Sequence, residues 1–343
     1  MRWKLTKVMI KFIYNLFKAL CAFLYGGINV AHLIKLEDYV SRYQYDMYRY
    51  PGQFSRLKRE RWTSLKQEWE ASYLNENQTV EKYVEQQKKS VKGAFHKVKR
   101  WLKREQRESF LDTFEEAAYQ FKYKSLPELK INFLKELYEF QLNWASSTIL
   151  EKSSLRQAYY FDTTLKWLLQ SFPDNYFILY YPIVKYPKAT VQFDILLIGP
   201  TDIWCIVHLS GIEQTIFQTF SERYWLRKDG GQEKKIINPF LSLNRMSTVI
   251  KRILSETEIE MTVRKAVITN EGYIDVDAPW SGVEFQDQRN IKRWEDKLKN
   301  NKSPIKSVQL KFSQVLLNVC ETMAEGRSQF EEEDDNLIEE EDH

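Results

Sequence analysis

Residues 191–211, VQFDILLIGPTDIWCIVHLSG, constrain this chain more than any other stretch. Two short runs that are apolar at nearly every position flank Gly199-Pro200. Runs of this length and composition read as buried strands, and the Gly-Pro pair reads as the turn between them. Buried strands followed by helical segments require a layered α/β or α+β fold. Asp194 lies inside the first strand. In a strand, residues i and i+2 share a face. Val207 and Leu209 therefore look the same way near the end of the second strand, and His208 looks the other way.

The ordered residues around this pair resemble a known family. Gln192-Phe193-Asp194, then Ile198-Gly199-Pro200-Thr201, follow a pattern like Q-I-D-H-x-x-x-G-P-x-G-x-x-x-I-E-x-K. That pattern belongs to the nuclease-related domain family (NERD), a branch of the restriction-endonuclease-like nucleases. Trp225, Asn238-Pro239-Phe240, a basic helical run through Arg245, Val249, Ile250, Arg252 and Ile253, and an apolar strand at 263–269 extend the likeness. It covers residues 154–272, about a third of the chain. The resemblance implies a metal held between two carboxylates, which activates water, and a Lys that stabilises the transition state. The family's Glu and Lys fall on Val207 and Leu209 here, and neither side chain can bind a metal or donate a hydrogen bond. Asp194 remains as a residual catalytic position, and a lone carboxylate is a poor Mg2+ site. The expected constellation is therefore degenerate, with no metal and no cofactor.

Length and composition bound the rest. A chain of 343 residues, 43% hydrophobic and 15% aromatic, can bury a core and form two or three structural units. Cys21, Cys205 and Cys320 are too few and too scattered for a disulfide framework or a zinc site. His32, His96, His208 and His343 form no cluster in sequence. The net charge of +4 hides an asymmetry. Residues 331–343 hold nine acidic groups and no Lys or Arg, so the remainder carries 51 basic against 38 acidic residues. Such a tail reads as a solvated, disordered end.

The N-terminus predicts an amphipathic helix over 1–34. Lys4, Lys7, Lys11 and Lys18 fall within roughly a 60° arc of a helical wheel, with apolar residues over the rest. A narrow cationic stripe of this kind suits a membrane interface, where lysines reach toward headgroups. The longest uncharged run, 19–34, has 16 residues, short of the roughly 20 needed to span a bilayer. Packing on the protein itself or a cleaved signal are the alternatives for this segment.

Residues 35–150 read as a basic helical region. Expected helices cover about 54–73 after a break at Pro51-Gly52, then 79–108, then a helix from Ser125 with a Ser125/Glu128 capping box. In the second of these, Val91, Phe95, Val98 and Leu102 form one stripe. Lys88, Lys89, Lys92, Lys97, Lys99, Arg100, Lys103, Arg104 and Arg107 surround it. A basic amphipathic helix suits the phosphates of nucleic acid or anionic lipid; an ordinary solvated helix face is the alternative.

Beyond it, the expected order is a helix at 155–170, strands at 176–186, 191–198 and 202–209, a helix after Pro239 and a strand at 263–269. That αβββαβ order fits a restriction-endonuclease-like core. The domain plan is 1–34 amphipathic, 35–150 helical, 151–300 NERD-like, 301–326 a C-terminal helix (expected over 303–323), and 327–343 the acidic tail.

The leading functional expectation is a catalytically degenerate binding module for nucleic acid, lying at the membrane surface of a bacterial type of cytoplasm. One alternative is an active Mg2+-dependent nuclease whose groups have migrated, with Glu213 or Glu222 as the acid and Lys228, Lys234 or Lys235 as the base. The other is a membrane-associated scaffold with no nucleic-acid role.

Overall fold

The computed structural model describes residues 28–76, 125–186, 189–276 and 282–326. The chain forms two compact units, residues 1–28 with 56–137 and residues 29–55 with 138–343.

The described helices are α1 (Arg42–Tyr45), α2 (Tyr50–Glu76), α3 (Leu126–Trp144), α4 (Thr163–Ser171), α5 (Pro239–Thr257), α6 (Ile291–Lys299) and α7 (Ser307–Val319). In the first unit, Leu65, Leu129 and Phe133 are buried, and the rings of Trp62 and Phe133 lie 5.4 Å apart. Helix α2 starts earlier than expected. Pro51 and Gly52 sit inside its first turn, where proline loses no intrahelical hydrogen bond, so they do not break it. Before α3, Glu128 reaches back to the Ser125 N–H at 2.8 Å. The Ser125 hydroxyl donates to the same carboxylate, so the glutamate half of the expected box forms.

The second unit is built on a six-stranded mixed sheet. Its strands are β1 (His32–Leu36), β3 (Phe177–Tyr180), β6 (Ile195–Ile198), β7 (Asp202–His208), β11 (Thr262–Ile268) and β13 (Val283–Gln286), in the spatial order β1-β3-β6-β7-β11-β13. β2 (Glu151–Lys152) pairs with β14 (Glu325–Gly326), and β4 (Ile183–Tyr186) with β5 (Ala189–Gln192). Strands β8 (Thr215–Thr219), β9 (Tyr224–Asp229), β10 (Gln232–Ile237) and β12 (Gly272–Asp275) make a separate four-stranded sheet, ordered β10-β9-β8-β12. Sheet and helices together give the mixed α+β architecture that the sequence predicted.

Several expectations need correction. No strand was expected before residue 176, yet β1 pairs in parallel with β3 and crosses the domain boundary drawn between residues 34 and 35. All five of its side chains are buried, including Lys35. The Lys35 ammonium donates to the Tyr39 carbonyl at 2.7 Å, Thr322 Oγ1 at 3.1 Å and Gln44 Oε1 at 3.2 Å. A lysine in an apolar run thus hid a core strand, because its charge is satisfied by partners up to 287 residues away. The hairpins β8–β10, the strands β12 and β13, and helix α6 were also unforeseen.

The strands expected at 176–186 and 191–198 are each broken in two. Tyr181 adopts φ 51°, a left-handed conformation that bulky residues rarely take, and Pro182 has no N–H to offer a ladder. The β4–β5 ribbon therefore leaves the main sheet here. Tyr181 N donates to Asp194 O at 2.7 Å and Phe193 N to Pro182 O at 2.9 Å, so Asp194 sits at the root of the ribbon. The Gly199-Pro200 turn is tight: a Cβ at Gly199 would lie 2.7 Å from Asp202 Oδ1 and 2.8 Å from the Tyr176 ring.

Candidate functional site

The residues that matter are set by strand parity. Ile195 pairs with Ile206 and Leu196 with Cys205. Continuing that register by one residue puts Asp194 opposite Val207. Cys205 also pairs with Lys265 of β11, and Lys265 Nζ donates to Asn244 of α5 at 3.0 Å. The odd-numbered residues of β7 therefore face α5. Trp204 and Ile206 join the opposite core layer with Leu165, Leu168 and Leu169 of α4 and Trp294 of α6.

Helix α5 supplies the groups that meet Asp194. It begins at Asn238, whose side chain accepts from the Phe240 N–H at 3.0 Å, with Pro239 in the first turn. One turn later the Ser242 hydroxyl donates to Asp194 Oδ2. The Asp194 N–H points at the sulfur of Met246 at 3.3 Å. Burial raises the carboxyl pKa of Asp194 above the usual range, while the Ser242 hydrogen bond and the charge of Arg245 pull it down. The groups acting on Asp194 are thus a hydroxyl and an exposed arginine.

Val207 is 7% exposed and Leu209 8%. They lie on the Asp194 face and give it no oxygen or nitrogen. Among the described residues, no group of three or more His, Cys, Asp or Glu side chains is arranged to hold a metal ion. Val207 and Leu209 stand where the family pattern has Glu and Lys, and neither side chain can ligate a metal. Of the candidates for migrated groups, Glu213 and Glu222 are exposed. Lys228 pairs with Glu233 at 3.2 Å, Lys235 lies 5.3 Å from the centre of the Phe220 ring, and Lys234 is exposed on β10. None of the five is among the groups that perturb Asp194.

His208 points to the other core layer. Its ring lies 6.5 Å from that of Trp167, and its Nε2 is buried without a hydrogen-bond partner. Burial lowers its pKa to about 4, partly opposed by Asp162. Asp162 caps α4 by accepting from Leu165 N at 2.8 Å and accepts from the Tyr180 hydroxyl at 3.0 Å. Cys205 is buried and free, its thiol pushed up to about 12 by burial, and so is inert as a nucleophile.

The remaining expected site residues were not brought into view. Lys4, Lys7, Lys11 and Lys18, and the nine basic residues from Lys88 to Arg107, lie outside the described residues, as does the acidic tail. Among the described residues, no helix is long and apolar enough to cross a membrane. Sequence reasoning missed Ser242 and named Arg245 only as part of the basic helical run. Their spacing, three residues apart on a helix opening at Asn238-Pro239, was the available signal.

Residues 157–270 match the family model of the nuclease-related domain, NERD. A 45-residue stretch is 47% identical to part of an RNA 2',3'-cyclic phosphodiesterase from Geobacillus stearothermophilus. That likeness covers 13% of this chain and 14% of the relative, so the chain spans a small fraction of the relative's length. No solved structure matches this chain.

Proposed function

We propose that this protein is a catalytically degenerate nuclease-related domain that works as a nucleic-acid binding module. The observation that carries the reading is the β6–β7 register, Ile195 with Ile206, which extended by one residue sets Asp194 opposite Val207. The reading is supported by the surroundings of Asp194, which include the Ser242 hydroxyl, the charge of Arg245 and the apolar Val207. Hydrolysis of a phosphodiester by this family's route needs a metal clamp, and one carboxylate is too few oxygen ligands to supply it.

Binding is supported by charge. Helix α5 has Arg245, Lys251 and Arg252 on its exposed positions and Glu256 as its only acid. A cationic helix beside a nuclease-type site suits a phosphate backbone. The partial relative's name concerns an RNA phosphodiester, so RNA belongs among the ligands tested. The test incubates purified full-length protein with plasmid DNA, single-stranded DNA and RNA in Mg2+ or Mn2+, alongside a binding measurement on the same substrates. The expected result is binding without cleavage. Cleavage that disappears in Asp194→Ala refutes the degeneracy. Absence of binding to every substrate refutes the module.

A further inference from the structure

The four-stranded sheet has one covered and one open face. Phe217, Trp225 and Ile274 are buried, and the register places them on the same side. The Trp225 ring packs 5.5 Å from Phe240 at the start of α5, so this side rests on the core. The other side carries Ile216, Leu226, Tyr224, Ile237 and Tyr273 by the same register, with Phe220 in the β8–β9 turn. Phe220 is 55% exposed and Ile237 70%. A cluster of exposed apolar side chains on an ordered sheet marks a contact surface.

Cations are set directly over its rings. The Arg223 guanidinium lies 5.5 Å from the Tyr224 ring centre, Lys235 Nζ 5.3 Å from Phe220, and Arg289 5.6 Å from Tyr273. Among the described residues, Arg223 and Lys235 have no carboxylate within ion-pair distance. The acids of this face are already engaged: Glu233 pairs with Lys228, and Asp275 acts on Arg289.

We propose that this open sheet face is a binding platform for single-stranded nucleic acid, with Phe220, Tyr224 and Tyr273 stacking bases and Arg223 and Lys235 meeting phosphates. The proposal rests on the binding reading above and adds the class of ligand and its location. The occupant must offer flat apolar rings and negative charge together, spread over a face on which β8 separates Tyr224 from Tyr273. An unpaired strand offers both, since each base exposes its ring faces next to a phosphate. A duplex hides those faces inside its stack, and an acidic peptide does not set a ring beside every charge.

The test is fluorescence anisotropy of full-length protein with labelled oligo-dT, oligo-U and a duplex of equal length. Three variants are compared: Phe220→Ala, Phe220→Ala with Tyr224→Ala, and Arg223→Gln with Lys235→Gln. Circular dichroism and thermal unfolding report folding of each, and exposed Phe220 makes its single variant the safeguard should the double variant misfold. The expected result is preference for the single strands and about tenfold weaker binding per ring removed. The Gln pair should reduce the salt slope by about 1.4, from two phosphate contacts at ~0.7 each. Single-strand binding unchanged in all three variants overturns this platform and leaves the binding module standing. Preference for the duplex does the same. No binding by any probe overturns both. A dimer in sedimentation that dissociates in the ring variants overturns the platform in favour of a contact between copies of the chain.

Discussion

Replacing His208 by Phe tests the parity on which the site rests. His208 lies between the two positions where the family pattern has Glu and Lys. Its burial against Trp167 fixes which way Val207 and Leu209 face. Burial lowers its pKa from 6.5 to about 4. The sign follows from linkage: between these values the unfolded chain binds the proton and the folded one does not. Folding stability from this group is therefore fully present above pH 6.5 and lost as pH falls toward 4. Two and a half pH units at about 1.36 kcal/mol each set a ceiling near 3.4 kcal/mol. The imidazole edge that meets Ser210 is not fully enclosed, which brings the expected difference to about 1–3 kcal/mol. Phe keeps the ring contact with Trp167 and removes the Nε2 atom that is buried without a partner, so the variant should be at least as stable as the parent at pH 7. Urea unfolding at half-unit steps from pH 4.5 to 7.5 measures the difference curve, in which shared carboxylate titrations cancel. Parallel curves for parent and variant would refute the argument. They would mean that His208 is solvated on the other face and that Val207 and Leu209 are turned away from Asp194.

Lys35 has the same linkage at alkaline pH. Burial lowers its pKa from 10.5 to about 8, so the unfolded state binds the extra proton and stability rises with pH above 8. By pH 9.5 the gain should be about 2 kcal/mol, and Lys35→Met should abolish the rise in guanidinium unfolding. Buried tyrosines such as Tyr180, whose pKa is raised by burial, act in the opposite sense above pH 10 and set the upper end of that window. The membrane expectation needs a shorter deletion than the domain plan implied, because Ile28, Val30 and Leu33 are core residues. Removing residues 1–27 should shift the protein from the membrane pellet to the soluble fraction. Full-length protein that is wholly soluble would count against that location.

The central strands and helices were legible because their chemistry is local. The Gly-Pro turn, the ILLI and IWCIV runs and the Asn238-Pro239 helix start each carry their own signal; β7 and β11 formed within one residue of the expected bounds, and α5 starts at Pro239. What failed to show depended on distant partners. β1 was hidden because Lys35 finds its acceptors at Gln44 and Thr322. The breaks at Tyr181 and Asp194 arise from a left-handed residue beside a proline, and parity alone ran through both. The β8–β10 sheet was read only as a set of charges and Trp225, since its open face mixes lysines with aromatic rings. At the site, the apolar residues at 207 and 209 were visible in sequence. The approach of Ser242 and Arg245 to Asp194 was not, because only the packing of α5 on the sheet brings it about.

Calorimetric titration of Mn2+ into the parent protein and into Asp194→Asn tests the central claim most directly. A carboxylate facing Val207 and held by Ser242 offers one side chain where six oxygen ligands are wanted. The two titrations should superpose, with no saturable heat assignable to Asp194. A stoichiometric Mn2+ site in the parent that is lost in Asp194→Asn would contradict the account, since it would mean that the chain still assembles a metal centre around Asp194.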